Sequence, residues 1–170
     1  KIVFFNGILK NWKIEMVDLT NLKKAESLGA DKNNLTGCLN FYDMKIENLE
    51  LNFANSKCED AINFVGVSGS VKKMKIENSS FDAIDADFSS ITFNNTIIMK
   101  SDNDCLDFSF GQYKIENINL KKCGDKGISV GEKSNAYFDN VKIQETNIGI
   151  ASKDSSFVEA NNVNIIDTKT

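Results

Sequence analysis

Apolar residues Ile62, Ile84, Leu106, Ile128 and Ile150 recur at a constant interval of 22 positions. Around each anchor the chain alternates. Ile84-Asp85-Ala86-Asp87-Phe88 and Leu106-Asp107-Phe108-Ser109-Phe110 switch between apolar and polar at every step, the period of a half-buried strand. A second apolar set follows about nine to fourteen residues later: Val71, Met74 and Ile76; Phe93 and Ile98; Ile115, Ile118 and Leu120; then Phe138, Val141 and Ile143, slipped by one residue. Polar runs such as Glu77–Ser80, Lys100–Asn103 and Lys121–Gly124 separate the sets as turns. A fixed period of this size marks a solenoid, in which each repeat is one coil stacked on the next. The pattern predicts an all-β fold, a right-handed single-stranded parallel β-helix of about 22 residues per coil, its hand following the usual crossover preference.

The inward columns expected are Ile62/Ile84/Leu106/Ile128/Ile150 and Phe64/Ala86/Phe108/Val130/Ser152. The repeated Lys-Ile-Glu pieces at 13–15, 45–47, 75–77 and 114–116 read as strand with a buried Ile between solvated charges. Residues 23–34 break the register and read as a loop excursion, with a short turn of helix around 22–28. The 170 residues form a single domain, 1–170, of about seven or eight coils, and a chain that starts at Lys1 reads as processed or as part of something longer.

Because the register holds, residues 22 apart are neighbours in space. One outward column runs Asn63, Asp85, Asp107, Ser129, Ala151, and a second on the same face runs Val65, Asp87, Ser109, Gly131, Lys153. Just before the strand stand Asp60, Asp82, Asp104, Lys126 and Ile148, beside a column of small residues: Ala61, Ala83, Cys105, Gly127, Gly149. Asp85, Asp87 and Asp107 therefore converge on one face. Carboxylates about 5 Å apart repel by roughly 3 kcal/mol at an effective dielectric near 20, which solvation, a raised pKa or a bound cation can relieve. Calcium suits such a set of oxygen ligands, so Asp85, Asp87 and Asp107 are the candidate metal ligands. Asp82, Asp104, Asp107 and Ser129 are the candidate substrate-binding residues along a shallow acidic groove. Asp82 and Asp104 are also placed to satisfy local backbone groups. Lys126 stacks on Asp104 and is the candidate general base, although an ion pair with Asp104 would hold its proton.

Composition narrows the chemistry. The chain has no His, Arg or Pro and a net charge of -4. Imidazole and guanidinium mechanisms are excluded for these residues, and no basic patch invites nucleic acid. No apolar run reaches the length of a membrane span. Cys38, Cys58, Cys105 and Cys123 form no CxxC pair, and buried free thiols are expected over disulfides.

Over about residues 37–168, most strongly Asp82–Glu132, the chain resembles right-handed parallel β-helix proteins of the pectate-lyase superfamily. Polygalacturonase-type hydrolases carry Asn-Thr-Asp, Asp-Asp and Gly-His-Gly elements on successive coils, followed by Arg-Ile-Lys. The matching stretches here are Ala83-Ile84-Asp85, Asn103-Asp104-Cys105 and Gly124–Gly131, without the His or the Arg. Asp85-Ala-Asp87 with Asp107 is similar to the calcium site of the superfamily's lyases, some branches of which use a lysine base, and Lys126 is the lysine placed near the patch. The resemblance implies an extracellular or cell-surface protein acting on, or binding, an acidic polysaccharide, with self-association through the solenoid ends as a further option. Without His and Arg, the leading expectation is a binding or structural β-helix. A Ca²⁺-dependent polyuronide lyase or other carbohydrate-active enzyme is the alternative.

Overall fold

A computed structural model describes residues 1–17, 30, 32 and 34–169. The expected excursion over 23–34 and the helical turn over 22–28 lie outside the described residues, apart from 30, 32 and 34. The described residues form fifteen strands, and none of them is helical.

Seven strands stack in parallel as sheet A: β1 (Ile2–Phe5), β4 (Gly37–Tyr42), β6 (Asp60–Val65), β8 (Asp82–Asp87), β10 (Leu106–Ser109), β12 (Lys126–Gly131) and β14 (Ile148–Ser152). Sheet B holds β2 (Ile8–Lys10), β3 (Lys13–Met16), β5 (Lys45–Ser56), β7 (Ser68–Ser79), β9 (Ser90–Ser101), β11 (Gln112–Cys123), β13 (Asn135–Thr146) and β15 (Phe157–Thr168). Every pairing is parallel, and Ile62, Ile84, Leu106, Ile128 and Ile150 stand opposite one another in register. The solenoid makes about six turns. Dividing length by period predicts more, because the first coil is longer than the rest: Ile2 pairs with Leu39, 37 positions further along.

Each twelve-residue strand of sheet B is longer than one flat side of the coil. Asn11, Asn48, Asn95, Asn117, Asn140 and Asn162 take φ between 47° and 57° and break the strand pairing into two runs, as at Asn117 between Glu116 and Ile118. Asparagine tolerates this left-handed conformation because its short amide bonds locally. Here those amides also link coils, Asn48 Nδ2 donating to Asn11 Oδ1 at 3.1 Å and Asn140 Nδ2 to Asn117 Oδ1 at 2.6 Å. A second corner uses Asn55, Asn78, Lys100, Lys122, Glu145 and Asp167, and a third uses Asp43, Gly66, Phe88, Phe110, Glu132 and Asp154, all at positive φ. A coil therefore has three straight runs. The one-residue slip before Phe138 arises at the third corner, where both Glu132 and Lys133 are left-handed.

The interior is a set of stacks. Ile62, Ile84, Leu106 and Ile128 are fully buried, as are Phe64, Ala86, Phe108 and Val130. Ile150 is half-buried and Ser152 exposed on the last described coil. Phe4, Phe41 and Phe64 stack face to face at 5.6 and 5.0 Å, and Phe93, Phe108 and Tyr113 continue the aromatic column. In the Lys-Ile-Glu pieces Ile46, Ile76 and Ile115 are fully buried. Their flanking charges pair on the surface, Lys45 with Glu47 at 2.9 Å and Lys114 with Glu116 at 2.7 Å.

The cysteines correct the sequence reading. Cys38 is bonded to Cys58 and Cys105 to Cys123, leaving no free thiol. Cys38 and Cys105 do occupy the small-residue column, buried with Ala61 and Ala83. That column turns inward at a corner, however, and brings the two sulfurs within reach of cysteines 20 and 18 positions further along.

Candidate functional site

The outer face of sheet A carries the acids. Asp85 pairs in register with Asn63 on one side and Asp107 on the other, and Asp107 pairs with Ser129. The alternate residues Ile84, Ala86, Leu106 and Phe108 fill the core, so strand geometry turns Asp85, Asp87 and Asp107 outward together. Outward does not mean solvated here. Asn63 is 1% exposed, Ser129 is fully buried, and Asp85, Asp87 and Asp107 are half-buried.

Little within the protein satisfies this ladder. Asn63 Nδ2 donates to Asp85 Oδ2 at 3.0 Å. Among the described residues, four buried oxygens on these two columns find no hydrogen-bond partner: Asp60 Oδ2, Asn63 Oδ1, Asp107 Oδ1 and Ser129 Oγ. Buried polar atoms are paired in nearly all proteins, because each orphan costs on the order of 1–3 kcal/mol. Three of these, Asn63, Asp107 and Ser129, share one column, and Asp60 stands in the column beside it.

The electrostatics agree. Burial first, then the charges of Asp60, Asp87, Asp107 and Asp82, push Asp85 up to about 9. Burial likewise raises Asp60 to about 7, with a hydrogen bond from Thr36 opposing it. Asp87 rises to about 6 through burial and then its neighbours Asp107 and Glu132. At neutral pH Asp85 therefore keeps its proton, and the cluster carries donor and acceptor carboxyls side by side.

The neighbouring column has a structural duty. Asp82 Oδ1 accepts the amide N–H of Asp104 at 2.8 Å and the Asn103 side chain at 2.7 Å, while Asp104 Oδ1 accepts the amide N–H of Lys126 at 2.8 Å. Each aspartate thus caps the coil above it. Asp82 still rises to about 6, mainly by burial. The Lys126 ammonium lies 3.4 Å from Asp104 Oδ2 and also bonds Asp125. Burial pulls its pKa down, but the bonds and charges of Asp125 and Asp104 outweigh this and raise it overall. An ammonium held so is a poor proton acceptor.

Among the described residues, no group of three or more His, Cys, Asp or Glu side chains is arranged to hold a metal ion. The backbone places Asp85, Asp87 and Asp107 on one face without closing them into a ligand cage.

Phe88 and Phe110 continue the apolar–polar alternation of their strands, which taken alone would turn them inward. They are instead 62% and 49% exposed, because the chain leaves the strand there and turns the third corner. The signal was present in the sequence. The same column holds Gly66 one coil earlier and Glu132 one coil later, which suits a corner and not a core position.

Comparison with known proteins returned no match to a protein family, to a curated protein or to a solved structure. The pectate-lyase-like resemblance therefore rests on the coil and its acidic face alone.

Proposed function

We propose that the outer face of sheet A binds a hydroxyl-rich polymer, a polysaccharide chain lying across successive coils. The observation that carries this is the acidic face of sheet A, where the half-buried carboxyls of Asp85, Asp87 and Asp107 stand side by side on neighbouring strands. From Asn63 to Ser129 the column spans three strand spacings, about 14 Å, the length of a short oligosaccharide. Sugar hydroxyls are donors, and the carboxyl oxygens of this face are acceptors. Its net negative charge favours an uncharged glycan over the polyuronide that the family resemblance implies, since uronate carboxylates would meet Asp87 and Asp107. Two disulfides suit an oxidising compartment, in keeping with a protein outside the cell.

The lyase alternative needs calcium on Asp85, Asp87 and Asp107 and a free base at Lys126. Neither the spread of the acids nor the ion pairs of Lys126 supports it. One observation does favour catalysis of another kind. Asp85, held protonated beside Asp107 on the next strand, has the character of a general acid facing a second carboxylate.

Native electrophoresis through gels containing cellulose derivatives, xylan, mannan or polygalacturonate tests the binding reading. Retardation by a neutral polysaccharide supports it, and free migration through all four refutes it. Release of reducing ends from a retained polymer, abolished by Asp85→Asn, would establish the hydrolytic reading.

A further inference from the structure

Phe88 and Phe110 stack face to face on the surface, ring centroids 4.8 Å apart and planes 4° from parallel. Both lie at φ 51°, a region that bulky residues rarely adopt. The equivalent corner holds Asp43, Gly66, Glu132 and Asp154 in the other coils, residues that are small or polar. Two rings at strained, solvent-facing corners gain little from the fold, and strain retained at a surface points to a function. They occur on the two coils that carry Asp85-Asp87 and Asp107, with Asp87 directly before Phe88.

The rings line an open cavity of about 400 Å³ with Gly66, Ser90, Gln112 and Glu132 around them. Ser109, the residue before Phe110, donates to Glu132 Oε2 at 2.6 Å at its rim. An apolar floor with polar groups at its edge matches a ligand that is flat and apolar on its face and hydroxylated at its edge. A pyranose ring with equatorial hydroxyls has that shape, because its axial C–H bonds make both faces apolar.

The two rings cover each other's facing sides, and we infer that an outer ring face left open by the Phe88–Phe110 stack holds a pyranose ring, a second subsite that continues the acidic ladder around the corner of sheet A. This rests on the polysaccharide reading and narrows it to β-linked sugars with equatorial substituents. Glycine fits the corner at position 66 because a Cβ there would meet the Asp43 carboxylate.

The test uses cellohexaose and xylohexaose as ligands in calorimetric titration, with polygalacturonate as the contrast. Phe88→Asn and Phe110→Asn, singly and together, remove the rings while keeping a residue suited to left-handed backbone. The double variant should melt no lower than the wild type and bind at least tenfold more weakly. A Phe110→Trp variant should keep binding and change its fluorescence on adding cellohexaose, relative to a wild type whose single tryptophan is Trp12. Unchanged affinity in the double variant overturns the platform and leaves the proposed function standing. A wild type that binds polygalacturonate but neither hexasaccharide overturns the platform and the preference for an uncharged glycan. A wild type that binds no glycan overturns both. A concentration-dependent dimer in sedimentation, lost in the double variant, would show that the rings meet a second copy of the chain and would also overturn the inference.

Discussion

Replacing Asp85 with Asn should stabilise the protein at pH 8 and change it little at pH 4. Asp85 is pushed from an ordinary 3.8 to about 9 by burial and by four neighbouring aspartates. The folded state therefore binds this proton more tightly than the unfolded state does. Stability from this group is complete below pH 4, falls as pH rises, and has been lost by about pH 9. From 3.8 to pH 7, at about 1.4 kcal/mol per pH unit, the loss comes to about 4 kcal/mol. Sharing of charge with Asp60 reduces that figure, yet even about 2 kcal/mol moves the melting temperature of a chain this size by about 4–8 °C. Asparagine keeps the shape, carries no charge, and can still accept from Asn63 Nδ2, now 3.0 Å from Asp85 Oδ2. Thermal melts of wild type and Asp85→Asn from pH 4 to pH 9 provide the assay. The variant should melt several degrees higher at pH 8 and show a shallower decline with pH. A variant that melts lower at pH 8, or whose pH dependence matches the wild type, would refute the reasoning.

Removing one disulfide as Cys105→Ala with Cys123→Ala should cost about 3 kcal/mol, read from urea unfolding, since the bond closes a loop of 18 residues. Phe64→Ala should cost about 3–5 kcal/mol in the same assay, because Phe64 is fully buried against Phe41 and Phe93. Asn117→Ala should cost about 1–2 kcal/mol for forcing a Cβ-bearing residue without a polar side chain into φ 56°, whereas Asn117→Gly should cost clearly less.

The coil was legible in the sequence because stacking makes the same demand at every turn. Ile62, Ile84, Leu106 and Ile128 meet one another in the core, so all four must be large and aliphatic, and the interval between them is the length of a turn. The acidic face followed from that register, as did the ion pair of Lys126 with Asp104. The corners were harder to read. They depend on single left-handed residues, and Asn48 and Asn78 follow the same Lys-Ile-Glu triplet yet turn different corners. Alternation alone does not place Phe88 and Phe110, because it assumes that a strand continues, and theirs ends. The disulfides were missed for a related reason. Intervals of 20 and 18 residues are not multiples of the period, so a map built on the period alone does not place Cys58 beside Cys38 or Cys123 beside Cys105. Burial of the outward column was also hidden, since sequence gives the direction of Asn63 and Ser129 but not what surrounds them.

The most direct test of the central claim is a crystal structure of the protein with the polysaccharide fragment it binds most tightly. Sugar hydroxyls should lie within hydrogen-bonding distance of the half-buried carboxyls of Asp85, Asp87 and Asp107. A fragment seated on sheet B, away from those three carboxyls, would contradict the account.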